Sequence, residues 1–127
     1  MRFLYPFVSW GIIALGAVHM VATFHFFKSL TSAALWFFSG GIALALTGAL
    51  NLLHRAYGPI APGLRKVCIV TNLIMLAFGI VSGVVGRASI AQFALVLGLI
   101  GGATLLSLIA AHKRGQPGAA QPNRSSE

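Results

Sequence analysis

Four long apolar runs constrain the fold of this chain more than any other feature of its sequence. They cover about residues 4–27, 33–53, 67–85 and 90–111, and none of them contains Lys, Arg, Asp or Glu. A helix rising ~1.5 Å per residue crosses a hydrocarbon core ~30 Å thick with about 20 such residues. The sequence therefore predicts an all-α membrane protein with four transmembrane helices.

The composition excludes a soluble globular domain. Only 8% of the 127 residues are charged and 57% are hydrophobic, whereas about 25% of the residues of a soluble domain are charged. The runs are also continuous and do not alternate with a period of two, so membrane-spanning β-strands are not expected.

The connections between the runs predict two αα-hairpins. Residues 28–32 and 86–89 are tight turns, whereas the connection over 54–66 is longer and holds two prolines and two glycines that would break a helix. Residues 1–112 are thus expected to form the bundle. The polar segment 113–127, rich in Gly, Pro, Ser and Gln, is predicted to be a disordered cytoplasmic tail.

The positions of the cations predict the orientation in the membrane. Seven of the nine Lys and Arg residues lie at the N-terminus, in the 54–66 connection or in the tail, and only Lys28 and Arg87 lie in the tight turns. Since cytoplasmic segments are enriched in cations, both termini are expected in the cytoplasm. Because the cations sit at the ends of apolar runs, nucleic acid is not an expected partner.

Two histidines stand in the first run. His19 shares a helical face with small and polar residues such as Gly16 and Thr23, whereas His25 lies among the phenylalanines of the membrane interface. Ser39 is expected at the depth of His19. An uncharged His19 imidazole bonded to Ser39 or Thr23 is therefore predicted, because no carboxylate could offset a buried charge.

A second polar group is expected near the cytoplasmic end. Asn51 and His54 share a level with Asn72, with Thr104 and Ser107 nearby. Either these side chains form interhelical hydrogen bonds, or they line a polar pocket, open to the cytoplasm, for an anionic headgroup or a small solute. The candidate intramembrane polar residues are thus His19, Ser39, Asn51, His54 and Asn72.

Small residues predict the packing faces of the last two runs. The third run repeats them at heptad spacing, and the fourth carries a similar strip. The lone cysteine, which excludes an internal disulfide, is expected to be a packing residue of the third run. The predicted faces are Cys68, Asn72, Met75, Gly79, Ser82 and Gly86 in the third run, and Ala94, Gly98, Gly101 and Leu105 in the fourth.

Three classes of function fit these patterns. An accessory or scaffolding subunit would act through helix packing, in a homo-oligomer or with another membrane protein, and would need neither a cofactor nor catalytic groups. A transporter of a small solute or lipid, working as an oligomer, would have to rely on His19, since the membrane segments hold no carboxylate. A haem or metal redox protein would need two histidines at matched depth on facing helices. The first class is favoured, and an enzyme is not expected.

The segment LWFFSGGIALALTGALNLLHR, residues 35–55, with the short hairpin before it, resembles a pattern of small uncharacterised bacterial four-helix inner-membrane proteins. The resemblance covers about the first half of the chain. It implies a multi-pass protein of the bacterial inner membrane and carries over no functional residue.

Overall fold

The computed structural model describes residues 3–112, with the side chains of residues 3–110. Four α-helices account for nearly all of this range: α1 (Leu4–Phe26), α2 (Ser32–Tyr57), α3 (Pro62–Val85) and α4 (Ile90–His112). All four are long and apolar enough to cross a membrane, and the described residues contain no strand. The predicted all-α, four-helix fold class is therefore confirmed. The predicted disordered tail lies outside the described residues.

Local signals explain where the helices begin. The Thr31 hydroxyl accepts a hydrogen bond from the Ala34 backbone N–H at 3.2 Å and so caps α2. Ser89 and Gln92 form a reciprocal capping box at the start of α4: the Ser89 hydroxyl accepts from the Gln92 N–H at 3.3 Å, and the Gln92 side chain accepts from the Ser89 N–H at 3.0 Å.

The connection between the hairpins is shorter than predicted. Helix α2 continues to Tyr57, and α3 begins at Pro62 instead of near residue 67. Proline is well tolerated at the first position of a helix because its missing N–H would have no partner there. Pro62 thus starts a helix that the sequence analysis expected it to delay, and only residues 58–61 connect α2 to α3.

The helices form an antiparallel ring in chain order. Each packs against its neighbours in sequence, and α4 packs back on α1. The most extensive contact is between α1 and α2. Buried small residues recur there every seven positions, namely Ser9, Gly16 and Thr23 on α1 and Ala34, Gly41 and Gly48 on α2.

Two of these glycines permit backbone contact between α1 and α2. A Cβ added to Gly16 would lie 2.6 Å from the Gly41 carbonyl oxygen, and a Cβ added to Gly48 would lie 2.6 Å from the Ser9 carbonyl oxygen. Any larger side chain would push the helices apart. Such close approach is the usual basis of helix association in membranes, where no hydrophobic force drives helices together.

The apolar core is small and the outer surface is apolar. Ile12, Leu44, Ile100 and Ala103 form the core cluster at the middle of the bundle. Large apolar side chains point outward along every helix; Phe24 is 77% exposed and Ile90 is 90% exposed. This distribution indicates a multi-pass membrane protein whose outer surface faces lipid.

The predicted packing face of α3 is confirmed in part, whereas that of α4 is wrong. Cys68, Asn72 and Gly79 are buried, but Ser82 and Gly86 are exposed. On α4, Ala94, Gly98 and Leu105 are exposed and Gly101 is partly buried, and the helix instead buries Ile100, Ala103, Thr104 and Ser107. Because α4 is apolar all round, the spacing of its small residues does not identify the face that packs.

Candidate functional site

Five buried polar side chains meet at one end of the bundle, where α1 and α3 begin and α2 ends. This cluster, termed the polar layer, contains side chains from three helices. Its members are at most 7% exposed. They are Tyr5 of α1, Asn51 and His54 of α2, and Cys68 and Asn72 of α3.

A reciprocal amide pair joins α2 to α3 at the centre of the polar layer. The Asn51 Nδ2 donates to the Asn72 Oδ1 at 2.8 Å, and the Asn72 Nδ2 donates to the Asn51 Oδ1 at 2.9 Å. The Asn51 Nδ2 also donates to the Thr47 carbonyl oxygen at 2.8 Å. A carbonyl can only accept, so this bond fixes which way the Asn51 amide points.

The amide orientation determines the direction of the next bonds. The Asn51 Oδ1 can only accept, and the Tyr5 hydroxyl donates to it at 2.8 Å. The His54 Nδ1 lies 2.9 Å from the Tyr5 hydroxyl oxygen. Because Tyr5 has a single hydroxyl proton, which it donates to Asn51, the tautomer of His54 that carries its proton on Nδ1 satisfies this contact. A continuous chain of hydrogen bonds runs from His54 through Tyr5 to Asn51 and the α2 backbone.

Cys68 completes the polar layer on the α3 side. Its thiol is fully buried and donates to the Asn51 Oδ1 at 3.4 Å. It also lies 3.8 Å from the Asn72 Nδ2 and 3.9 Å from the Tyr5 hydroxyl, within hydrogen-bond range for sulfur. This thiol is held by polar partners, whereas the sequence analysis expected only a small packing residue.

Helix α4 contributes buried hydroxyls that bond to their own helix. Thr104 donates to the Ile100 carbonyl oxygen at 2.8 Å, and Ser107 donates to the Thr104 carbonyl oxygen at 2.7 Å. Throughout the described residues, every buried side-chain nitrogen and oxygen has a hydrogen-bond partner. The buried polar groups are thus satisfied within the bundle, as a membrane environment requires.

The structure brings together three of the five candidate polar residues, Asn51, His54 and Asn72. Tyr5 was not among the residues singled out from the sequence. A tight turn between α1 and α2 places residues at equal distances from the turn side by side. That register pairs Tyr5 with His54, and it is the feature of the sequence from which the place of Tyr5 in the polar layer could have been predicted.

The other two candidates, His19 and Ser39, lie elsewhere. The His19 ring stacks on Phe37, with ring centroids 3.9 Å apart. Ser39 is exposed and donates to the Trp36 carbonyl oxygen, and Thr23 donates to the His19 backbone oxygen. The expected bond from the His19 imidazole to Ser39 or Thr23 is therefore not formed. Hydroxyls on a helix bond readily to the carbonyl one turn earlier.

The positions of the histidines bear on the haem alternative. His19 stands fourteen residues after Tyr5 on α1, and Tyr5 contacts His54. At 1.5 Å per residue, His19 and His54 are about 21 Å apart along the bundle. These two side chains cannot be axial ligands of one haem within a single subunit.

Comparison of the chain with protein-family models, with curated proteins and with solved structures gives no significant match. The assignment of a role therefore depends on the geometry of the bundle itself.

Proposed function

We propose that the protein is a multi-pass accessory or scaffolding subunit of the bacterial inner membrane, with both termini in the cytoplasm, that acts through helix packing and has no enzymatic activity. The polar layer carries this proposal. Its hydrogen-bonding groups are directed at one another across three helices, which is the geometry of a group that holds helices together. The bacterial location follows the resemblance of residues 35–55.

The outer face of α4 supports association with a second membrane protein or a second copy. Ala91, Ala94 and Gly98 are exposed on this face, and among the described residues no atom lies within 4 Å of a Cβ added to Gly98. A strip of small residues lets another helix approach closely. We favour a homo-oligomer through this strip.

Disulfide crosslinking in native membranes tests the oligomer. In a Cys68→Ala background, Gly98→Cys is expected to give an oxidant-dependent species of twice the protomer mass, because the strip would place two α4 helices in contact. Val21→Cys, on an exposed position of α1, is the matched control and should stay monomeric. If the Gly98→Cys variant gave only the monomer, in membranes where its expression is verified, the result would contradict the homo-oligomer.

Reporter fusions test the orientation. Arg55, Arg65 and Lys66 lie at the end of the bundle that carries the polar layer, and Lys28 and Arg87 lie at the other end. A reporter active only in the cytoplasm should therefore be active after Glu127 and inactive in the 27–31 turn. Activity of a periplasm-specific reporter after Glu127 would overturn the proposed orientation.

A further inference from the structure

The two ends of the bundle are packed differently. Between Ile80 and Leu95, no residue of α3 or α4 is buried, and the two that are partly buried, Gly83 and Phe93, contact each other. Helices α1 and α2 in contrast remain packed together as far as Thr23 and Ala34, which are both buried. The two hairpins thus touch at the polar layer and the core cluster, and they separate toward their tight turns.

The position of this opening along the bundle can be measured from the polar layer. Tyr5, His54, Cys68 and Ser107 are buried near one end, and the residues fourteen positions further toward the turns are about 21 Å away along the bundle. Those residues, termed the open layer, are His19, Gly40, Ser82 and Phe93. Ser82 continues the seam of Cys68, Asn72 and Gly79, yet it is exposed.

The open layer is mostly apolar: the Ser82 hydroxyl bonds to carbonyls of its own helix, and the remaining polar side chain is the His19 ring. His19 is partly buried and stacked on Phe37, and its Nε2 edge lies 3.8 Å from a Cβ added to Gly40. His19 stands seven residues before the end of α1, so about 10 Å below that end. A ligand with a hydrocarbon chain and a polar group near its headgroup would match the apolar surroundings and the His19 ring.

Each tight turn at the open end of the bundle, here termed the mouth, carries one cation. Lys28 lies in the turn between α1 and α2, and Arg87 lies in the turn between α3 and α4; both are exposed. The described residues contain no acid, since the only one in the sequence is Glu127. The mouth therefore complements an anion, and the apolar walls below complement a hydrocarbon chain.

We propose that the opening between the hairpins binds an anionic phospholipid, with its phosphate between Lys28 and Arg87 and an acyl chain in the open layer. A lipid without net charge would lose the attraction of the two cations, which interfacial cations exert on anionic headgroups. This site is separate from the polar layer and does not depend on the accessory role.

Native mass spectrometry of the full-length protein tests the site, with phosphatidylglycerol and phosphatidylcholine of identical acyl chains as probes. Phosphatidylglycerol should bind more tightly to the unaltered protein. The double variant Lys28→Gln/Arg87→Asn should weaken its binding by about 30-fold, because each interfacial cation contributes a factor of about five. Asn is chosen because Arg87 has a φ of 50°, a region that Asn tolerates.

The double variant Arg65→Gln/Lys66→Gln is the matched control, since it removes two cations from the opposite end. It should leave phosphatidylglycerol affinity within about twofold, less than the effect of one interfacial cation. Gly40→Leu, which should place a side chain in the opening, should weaken binding while Lys28 and Arg87 remain. Equal loss in both double variants, or equal affinity for the two lipids, would overturn the proposal.

Discussion

At the scale of single residues, the polar layer shows how a few side chains connect membrane helices without any charge pair. The Tyr5 hydroxyl contacts two partners on α2, and the Asn51 amide contacts both its own helix and α3. In lipid an interhelical hydrogen bond contributes about 0.6 kcal/mol on average. Shared partners make these contributions interdependent.

Removal of the Tyr5 hydroxyl should destabilise the bundle without changing its fold. Tyr5→Phe keeps the ring but deprives the Asn51 Oδ1 and the His54 Nδ1 of a partner, so we expect a loss of about 1–2 kcal/mol in the free energy of unfolding. Reversible denaturation in mixed micelles measures it. Tyr57→Phe, at an exposed position, is the matched control, and an equal effect of the two changes would contradict this role of Tyr5.

At the scale of helices, the two hairpins are held together differently. Helices α1 and α2 make backbone contact through glycines, whereas at the turn end α3 and α4 meet where Phe93 packs over Gly83. The first hairpin is therefore sensitive to any added side-chain volume. On the outer face of α4, a Cβ added to Gly98 meets no atom of the described residues within 4 Å.

A pair of leucine substitutions separates these two kinds of glycine. Gly41→Leu would place a Cβ 2.8 Å from the Gly16 carbonyl oxygen, so it should lower the free energy of unfolding by about 3 kcal/mol or more, at the upper end for overpacking. In the monomer, a Cβ added to Gly98 meets no described atom within 4 Å, so Gly98→Leu should leave the free energy of unfolding of the monomer unchanged or slightly higher, because leucine favours helix. Equal stability of the two variants would show that α1 and α2 are not in close contact.

At the scale of the whole molecule, the uncharged apolar runs predict the fold class, since their length leaves only membrane-crossing helices. The α3 seam was predictable up to Gly79 because polar and small residues recur there. The buried face of α4 was not, because an all-apolar helix gives no periodic signal. Ser82 was misjudged for a related reason: a helical wheel shows which residues share a face but not where neighbouring hairpins separate. The bond expected for His19 is absent because Ser39 and Thr23 donate to carbonyls of their own helices.

The candidate site was predictable on α2 and α3, where asparagine and histidine stand out among apolar residues. The part on α1 was not, because a tyrosine in a first helical turn is equally typical of the membrane interface. Only the register of the α1–α2 hairpin, which places Tyr5 beside His54, distinguishes a tyrosine of the polar layer from one at the membrane interface. Cys68 lay on the predicted seam, but its partners depend on the approach of Tyr5 and Asn51 from other helices.

We infer that the polar layer holds the helices together as a mutually satisfied hydrogen-bonded set. A double-mutant cycle of Asn51→Leu and Asn72→Leu tests it most directly, with the free energy of unfolding in mixed micelles as the readout. Each single change breaks both bonds of the amide pair and should cost about 2 kcal/mol, whereas the double change removes both amides and should cost clearly less than the sum. Additive losses would contradict the claim.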